Sequence, residues 1–131
     1  MASNGSPAQK NRHFLQSLRH AVQGFGSAFK TERNLRFDVF ASIVVVIIGL
    51  VVQVTRRDWL WRVLAMTSVI AAELANTVVE TLVRLHVGPN FDPDPQIGRL
   101  LNMAAGFVLV IGIGAALIGV LVFWPYLIGG K

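Results

Sequence analysis

Three long apolar blocks constrain the fold of this chain more than any other feature of its sequence. They run from Val39 to Val54, from Trp59 to about Val83, and from Leu100 to Leu127. A helix that spans a bilayer needs about 20 mostly apolar residues, and the blocks reach that length with their flanks. The sequence therefore predicts an all-α integral membrane protein. The predicted transmembrane helices cover about residues 36–54, 59–84 and 99–127.

The overall composition supports this class and excludes others. Hydrophobic residues make up 53% of the 131 positions and charged residues 15%, whereas average soluble domains have about 45–50% and 25%. The chain contains no cysteine, which excludes a disulfide scaffold and thiolate metal sites. An intrinsically disordered chain is excluded by the same apolar excess.

The residues before the first block have the pattern of a helix that lies on a membrane surface. Between residues 11 and 31 the apolar side chains recur in steps of three and four: Phe14, Leu18, Val22, Phe25 and Phe29. This spacing makes one apolar stripe on an amphipathic helix, and cations such as Arg12 and Arg19 lie on the opposite face. Anionic lipid headgroups are the expected partner of these cations, and nucleic acid is not. The alternative is a soluble helix packed against a partner.

The domain organisation follows from where the helical periodicity begins. Residues 1–10 show no periodicity and are predicted to be a disordered leader. Residues 11–131 are then a single membrane domain, which consists of the surface helix and the three spans.

The distribution of cations predicts the orientation. Lys and Arg number 12 against 7 Asp and Glu, and six of the cations precede the first block. If the N-terminus is cytosolic, Arg84 and Arg99 join them, which gives eight on that side. Four cations are then on the other side: Arg56, Arg57, Arg62 and Lys131. The positive-inside rule favours this orientation, although Arg56 and Arg57 count against it.

Small residues in the third block indicate a contact between helices. Gly112 and Ala116 form one pair four residues apart, and Ala115 and Gly119 form another. Small residues at this spacing let helix backbones approach closely. The contact is expected within the chain or between chains.

The second block contains polar residues that are costly in a membrane. Glu73, Asn76 and Glu80 lie at about 0°, 300° and 340° around a helix and so share one face. An ionised carboxylate at the centre of a bilayer costs about 2.5–3.5 kcal/mol even on lenient scales. This face could bind a divalent cation, supply a general base, or form a hydrogen-bonded clamp between helices. The residues alone do not distinguish an enzyme site from a transport site.

Several segments together resemble one known family. They are Glu73-x-x-Asn76-Thr77-x-x-Glu80, the stretch Ala28–Asn34, the stretch Arg57–Leu60, Ala104-Ala105-Gly106, and the ending Phe123-Trp124-Pro125. In this order they resemble the small bacterial membrane lipid kinases, the diacylglycerol kinase and undecaprenol kinase family. The resemblance covers about residues 13–126. The Glu/Asn/Glu helix is its most specific part.

The resemblance implies a lipid kinase in the bacterial cell membrane. Such proteins are homotrimers with composite sites at the cytosolic face, and they transfer the γ-phosphate of MgATP to a lipid hydroxyl. By position, Glu73 would be the general base and Asn76 would orient the site. Glu80 would bind Mg²⁺, and Glu32 would help to bind the nucleotide or the metal. The alternative role of Glu32 is a solvated ion pair with Arg33 or Arg36. The lipid alcohol, undecaprenol or diacylglycerol, is not readable from the sequence.

Three positions depart from the family pattern. Arg84 occupies a position that is usually acidic, and Leu101-Asn102 replaces a Lys-Asp pair whose lysine would neutralise phosphate charge. Arg99 lies one turn before Asn102, about 60° away around a helix, so its guanidinium could contact a phosphate. Arg99 and Asn102 are therefore expected to help bind the nucleotide. The alternatives are a catalytically impaired pseudokinase and a small assembly or transport subunit with the same fold.

Overall fold

The computed structural model describes residues 7–88 and 94–129, and these residues form four helices. The helices are α1 (Pro7–Thr31), α2 (Arg33–Val52), α3 (Arg56–Val87) and α4 (Pro95–Leu127). Over these ranges there is no β-strand. The helices α2, α3 and α4 are each long and apolar enough to cross a membrane. The predicted all-α membrane fold is confirmed.

The surface helix begins earlier than predicted. The structure places residues 7–10 in α1, where the sequence analysis predicts a disordered leader. The reason is local, because proline is well suited to the first turn of a helix, where its missing N–H leaves no hydrogen bond unmade. The rest of the predicted leader, residues 1–6, lies outside the described residues. Along α1, Phe14 and Val22 are 68% and 63% exposed, as an apolar stripe facing a membrane requires.

A single residue separates α1 from α2. Glu32 has an extended backbone, with φ −97° and ψ 116°, and this breaks the helix without a longer loop. The Arg36 guanidinium donates hydrogen bonds to the carbonyl oxygens of Phe29 at 3.4 Å and Lys30 at 2.7 Å. These carbonyls belong to the last turn of α1, where they have no partner within the helix. Arg36 on α2 therefore fixes the end of α1.

The turn between α2 and α3 is tight. Gln53 ends α2 in the left-handed conformation, with φ 55°, and Thr55 caps α3 by accepting a hydrogen bond from the Asp58 N–H at 3.3 Å. The Tyr126 hydroxyl of α4 donates to the Asp58 carboxylate and accepts from the Thr55 N–H at 3.1 Å. This tyrosine bridge (Thr55, Asp58 and Tyr126) joins the end of α4 to the turn. We refer to this end of the bundle as the turn end.

An arginine lies buried between the helices near the turn end. Arg62 is 2% exposed, and its guanidinium lies 3.8 Å from the Phe123 ring centroid and 5.7 Å from that of Trp59. Its three side-chain nitrogens have no hydrogen-bond partner among the described residues. On α2, a Cβ at Gly49 would lie 2.6 Å from Arg62 Nη1. We call Gly49, Trp59, Arg62 and Phe123 the arginine clamp.

Candidate active site

The polar stripe predicted on the second span lies at the opposite end of α3 from the turn. Glu73, Asn76 and Glu80 all belong to the continuous helix α3, so they share one face as their spacing requires. Glu73 is 8% exposed, while Asn76 and Glu80 are half-buried. The stripe therefore faces the interior of the bundle at Glu73, its most buried residue. At Glu80 it is partly exposed.

Asn76 and Glu80 are in direct contact. The Asn76 side-chain amide donates a hydrogen bond to Glu80 Oε1 at 2.7 Å, which is a strong geometry for a bond to a carboxylate. Asn76 Oδ1 is buried and has no partner among the described residues. The pair therefore presents an oriented carboxylate next to an amide oxygen that still needs a donor or a cation.

Glu73 keeps its carboxylate unpaired. The Thr77 hydroxyl donates to the backbone carbonyl of Glu73 at 2.9 Å, and within residues 7–88 and 94–129 no hydrogen bond to the Glu73 carboxylate is found. The Glu73 oxygens are not among the fully enclosed atoms without a partner, so they stay accessible to a ligand. A ligand hydroxyl that reaches Glu73 can donate a hydrogen bond to this carboxylate.

Asp38 is a member of this site that sequence reasoning missed. Asp38 lines a groove between the helices together with Val69, which lies four residues before Glu73 on the same helix. Asp38 belongs to α2 and is half-buried. A signal was available, because Asp38 is the only acidic residue in the predicted span 36–54 and acidic residues inside spans usually mark a site.

Glu32 lies at the same end of the bundle as Glu80, because α2 runs back along α3 from the tight turn between them. It lies at the α1–α2 junction, half-buried, and the Thr31 hydroxyl approaches its Oε1 at 3.4 Å. The alternative of an ion pair is not supported, because Arg36 bonds to the end of α1 instead. Over the described ranges no hydrogen bond joins Arg33 to Glu32.

The three polar residues near the second connection are less engaged. Arg84 lies in the last turn of α3, and Arg99 and Asn102 lie early in α4. All three side chains are exposed, and none has a hydrogen bond to another described residue. They lie at the same end of the bundle as Glu80, so they can act on a ligand bound there but do not complete the cluster by themselves.

The described part of the chain holds no group of three or more histidine, cysteine, aspartate or glutamate side chains arranged to hold a metal. This does not conflict with Mg²⁺, which is usually bound by one or two carboxylates together with waters and substrate phosphates. Glu80 and Glu32 can supply the carboxylates. The partnerless Asn76 Oδ1 is a further hard oxygen of the kind that Mg²⁺ prefers.

The fold and the site define a small helical membrane protein with an acidic site at one end of its bundle. The chain belongs to the prokaryotic diacylglycerol kinase family, whose sequence pattern matches residues 19–123. The resemblance seen in the sequence is therefore confirmed.

Three relatives illustrate the similarity. The chain is 32% identical over 114 residues to the undecaprenol kinase of Bacillus subtilis. The aligned residues cover 87% of this chain and 90% of that protein. It is 33% identical over 129 residues to the diacylglycerol kinase of Synechocystis, covering 93% of this chain and 71% of the relative. It is 30% identical over 71 residues to the diacylglycerol kinase of Haemophilus influenzae, covering 54% and 60% respectively.

Proposed function

We propose that this protein phosphorylates a membrane lipid alcohol, diacylglycerol or undecaprenol, with ATP at the cytosolic face of the bacterial inner membrane. The observation that carries the proposal is the position of Glu73 on one face of α3 with the bonded pair Asn76–Glu80. Glu73 is 8% exposed, and no hydrogen bond to its carboxylate is found among the described residues. Membership of a lipid kinase family supports the reaction class. The named relatives include one kinase for each of the two alcohols.

In the proposed reaction Glu73 is the general base. The oxygen of the lipid hydroxyl attacks the γ-phosphorus of ATP, and its proton passes to the Glu73 carboxylate. The bond between the γ-phosphorus and the β–γ bridging oxygen breaks, and ADP leaves with the electron pair. General-base assistance of this kind contributes about 10²–10⁴-fold to a rate.

Glu80 and Glu32 would hold the magnesium ion of MgATP, and Asn76 orients Glu80 through the hydrogen bond to its Oε1. Magnesium supplies neutralisation of the charge on the phosphate oxygens. Phosphoryl transfer asks a protein mainly for positioning and charge neutralisation, so two carboxylates and an amide are sufficient ligands. Arg99 and Asn102 contact the nucleotide phosphates from α4, where an arginine can bind two oxygens at once.

The proposed orientation has the N-terminus in the cytosol and three spans across the membrane. The positive-inside comparison counted Arg62 on the far side, but this side chain is buried between helices. Removing it from the four far-side cations leaves three against eight on the cytosolic side. The cations of α1 are proposed to lie on anionic lipid headgroups. A homotrimer, as the resemblance implies, is the proposed assembly.

The decisive experiment is lipid phosphorylation by the purified protein in vesicles. The protein is incubated with radiolabelled ATP, Mg²⁺ and either diacylglycerol or undecaprenol, and the Glu73→Gln variant is run alongside. The expected result is a lipid phosphate that Glu73→Gln lowers by at least about a hundredfold, as loss of a general base predicts. Phosphate no higher than in the variant, on both lipids, contradicts the proposal. MgATP binding without any turnover would instead identify an impaired pseudokinase.

A further inference from the structure

A groove runs along the inside of the three apolar helices. It has a volume of about 380 Å³ and is lined by residues of α2, α3 and α4. Much of its lining is small or apolar, for example Ala41 and Val45 on α2, Val69 on α3, and Gly112 and Ala116 on α4. The small residues that indicated a helix–helix contact in the sequence therefore line an open space within the chain.

The groove continues the face that carries the site. On α3 its lining includes Arg62, Met66 and Val69. At 100° per residue these lie at about 340°, 20° and 320° relative to Glu73, which places them on the same stripe of the helix. On α2 the groove reaches Asp38. Glu73 does not line the groove itself, but it lies four residues after Val69 on the same stripe of α3. One end of the groove is therefore about one helical turn from the proposed general base.

The arginine clamp closes the other end. Arg62 and Phe123 both line the groove, and Arg62 is held between the Phe123 ring and the notch at Gly49. Along α3 the lining runs from Arg62 to Val69, which is about 10 Å at 1.5 Å per residue. Glu73 lies eleven residues after Arg62, so a lipid chain that enters from the Glu73 end meets Arg62 about 16 Å from Glu73.

The size of the groove limits what can occupy it. Its 380 Å³ corresponds to about a dozen water-sized groups of roughly 30 Å³ each, which suits a single lipid chain. An α-helix about 10–12 Å wide would need about two to three times that volume over the same length of about 10 Å. A helix from a second copy of this chain therefore does not fit inside the groove.

The acidic residues near the Glu73 end of the groove determine which kind of lipid can bind there. Asp38 lines the Glu73 end of the groove, and Glu73 lies about one turn of α3 beyond Val69. These carboxylates repel an anionic headgroup and can accept a hydrogen bond from a hydroxyl. A neutral alcohol is the amphiphile that matches an acidic end followed by an apolar groove. This excludes an anionic phospholipid as the favoured occupant.

We infer that this groove holds one apolar chain of the lipid alcohol, and that the Arg62–Phe123 closure limits the chain length that the groove accepts. The inference rests on the proposed function. It makes Arg62, at the far end of α3 from the reacting hydroxyl, a determinant of substrate specificity rather than a catalytic residue.

A matched pair of glycines on α4 tests the inference. Gly119 lines the groove one turn from Phe123, at its closed end, and Gly114 does not line it. A Cβ at either position meets nothing within 4 Å. Both are replaced by leucine, and kcat/KM is measured in vesicles for diacylglycerols that differ only in acyl-chain length. Gly119→Leu is expected to lower kcat/KM for long chains by about tenfold relative to short chains, the size of effect that apolar pockets give. Gly114→Leu is expected to keep the wild-type profile.

The outcomes separate the inference from the proposed function. Identical chain-length profiles in the two variants overturn the inference while the kinase activity stands. A change in oligomeric state with an unchanged profile assigns the groove to a second copy and also overturns it. A wild-type protein without activity on any lipid alcohol contradicts the proposed function itself.

A labelling experiment gives a readout that needs no turnover. The wild-type protein is irradiated with a diacylglycerol that carries a photoreactive group at the end of one chain, and the labelled peptides are identified. Label is expected on the α3 segment 62–69, and Gly119→Leu is expected to reduce it. A second groove, of about 530 Å³, lies between α1 and a different face of α3, lined in part by Ala28 and Val78. Label confined to that groove overturns the inference.

Discussion

Replacing Gly49 with alanine adds one methyl group at the most crowded point between α2 and α3. The new Cβ would lie 2.6 Å from Arg62 Nη1, 2.9 Å from Trp59 Cη2 and 3.0 Å from Trp59 Cζ2. The tip of an arginine usually moves away easily. Here it cannot do so freely, because the guanidinium lies only 3.8 Å from the Phe123 ring centroid and the side chain is 2% exposed.

The expected loss of stability follows from two opposing effects. Overpacking a well-packed site costs about 1–3 kcal/mol. Alanine is favoured over glycine inside a helix by about 0.5–1 kcal/mol, which offsets part of that cost. The free energy of unfolding should therefore fall by about 1–2 kcal/mol.

The assay is reversible unfolding in mixed micelles with a denaturing detergent, followed by tryptophan fluorescence. The matched control is Gly106→Ala, because Gly106 is also inside a helix and a Cβ there meets nothing within 4 Å. This control should be neutral or slightly stabilising. Combining Gly49→Ala with Arg62→Ala should cost less than the sum of the single changes, as contacting residues usually show. If Gly49→Ala is as stable as Gly106→Ala, the packing described for the arginine clamp is wrong.

Three further predictions concern other contacts. Tyr126→Phe removes the hydroxyl that bonds to the Asp58 carboxylate and to the Thr55 N–H. It should lower the free energy of unfolding by about 1–3 kcal/mol, and an unchanged melting temperature in detergent would contradict this. Arg36→Met removes the donor to the last carbonyls of α1, so hydrogen exchange at the end of α1 should accelerate while that of α4 stays constant; equal rates in both proteins would refute the contact. Glu80→Gln should raise the Mg²⁺ concentration needed for half-maximal lipid phosphorylation by about tenfold or more, as weakened metal binding does. An unchanged Mg²⁺ dependence would show that Glu80 does not bind the metal.

The helices and the polar face of α3 could be predicted from the sequence because both depend on local patterns. A long apolar block is sufficient for a spanning helix, and the spacing of Glu73, Asn76 and Glu80 fixes their common face once the segment is helical. The ends of the helices were predicted less accurately. Pro7, for example, starts α1 before any apolar periodicity is visible.

The contacts between helices could not be predicted, because they depend on which faces meet in three dimensions. Arg62 looked like a cation of the far membrane surface, and only the packing of α2 and α4 around it buries the guanidinium. Asp38 was assigned no role from the sequence, and its place in the groove with Val69 follows from the packing of α2 against α3. In both cases a charged residue inside a predicted span was the available signal.

The length of α3 has a consequence for where the proposed reaction takes place. Its 32 residues extend about 48 Å, while the hydrocarbon layer of a bilayer is about 30 Å thick. Measured from Arg56, that thickness is reached after about 20 residues, at Asn76. Glu73 then lies on the hydrocarbon side of the boundary and Glu80 on the water side, with the amide of Asn76 between them. A lipid that stays in the membrane and a nucleotide that stays in water can meet across one turn of helix, and neither has to enter the solvent of the other.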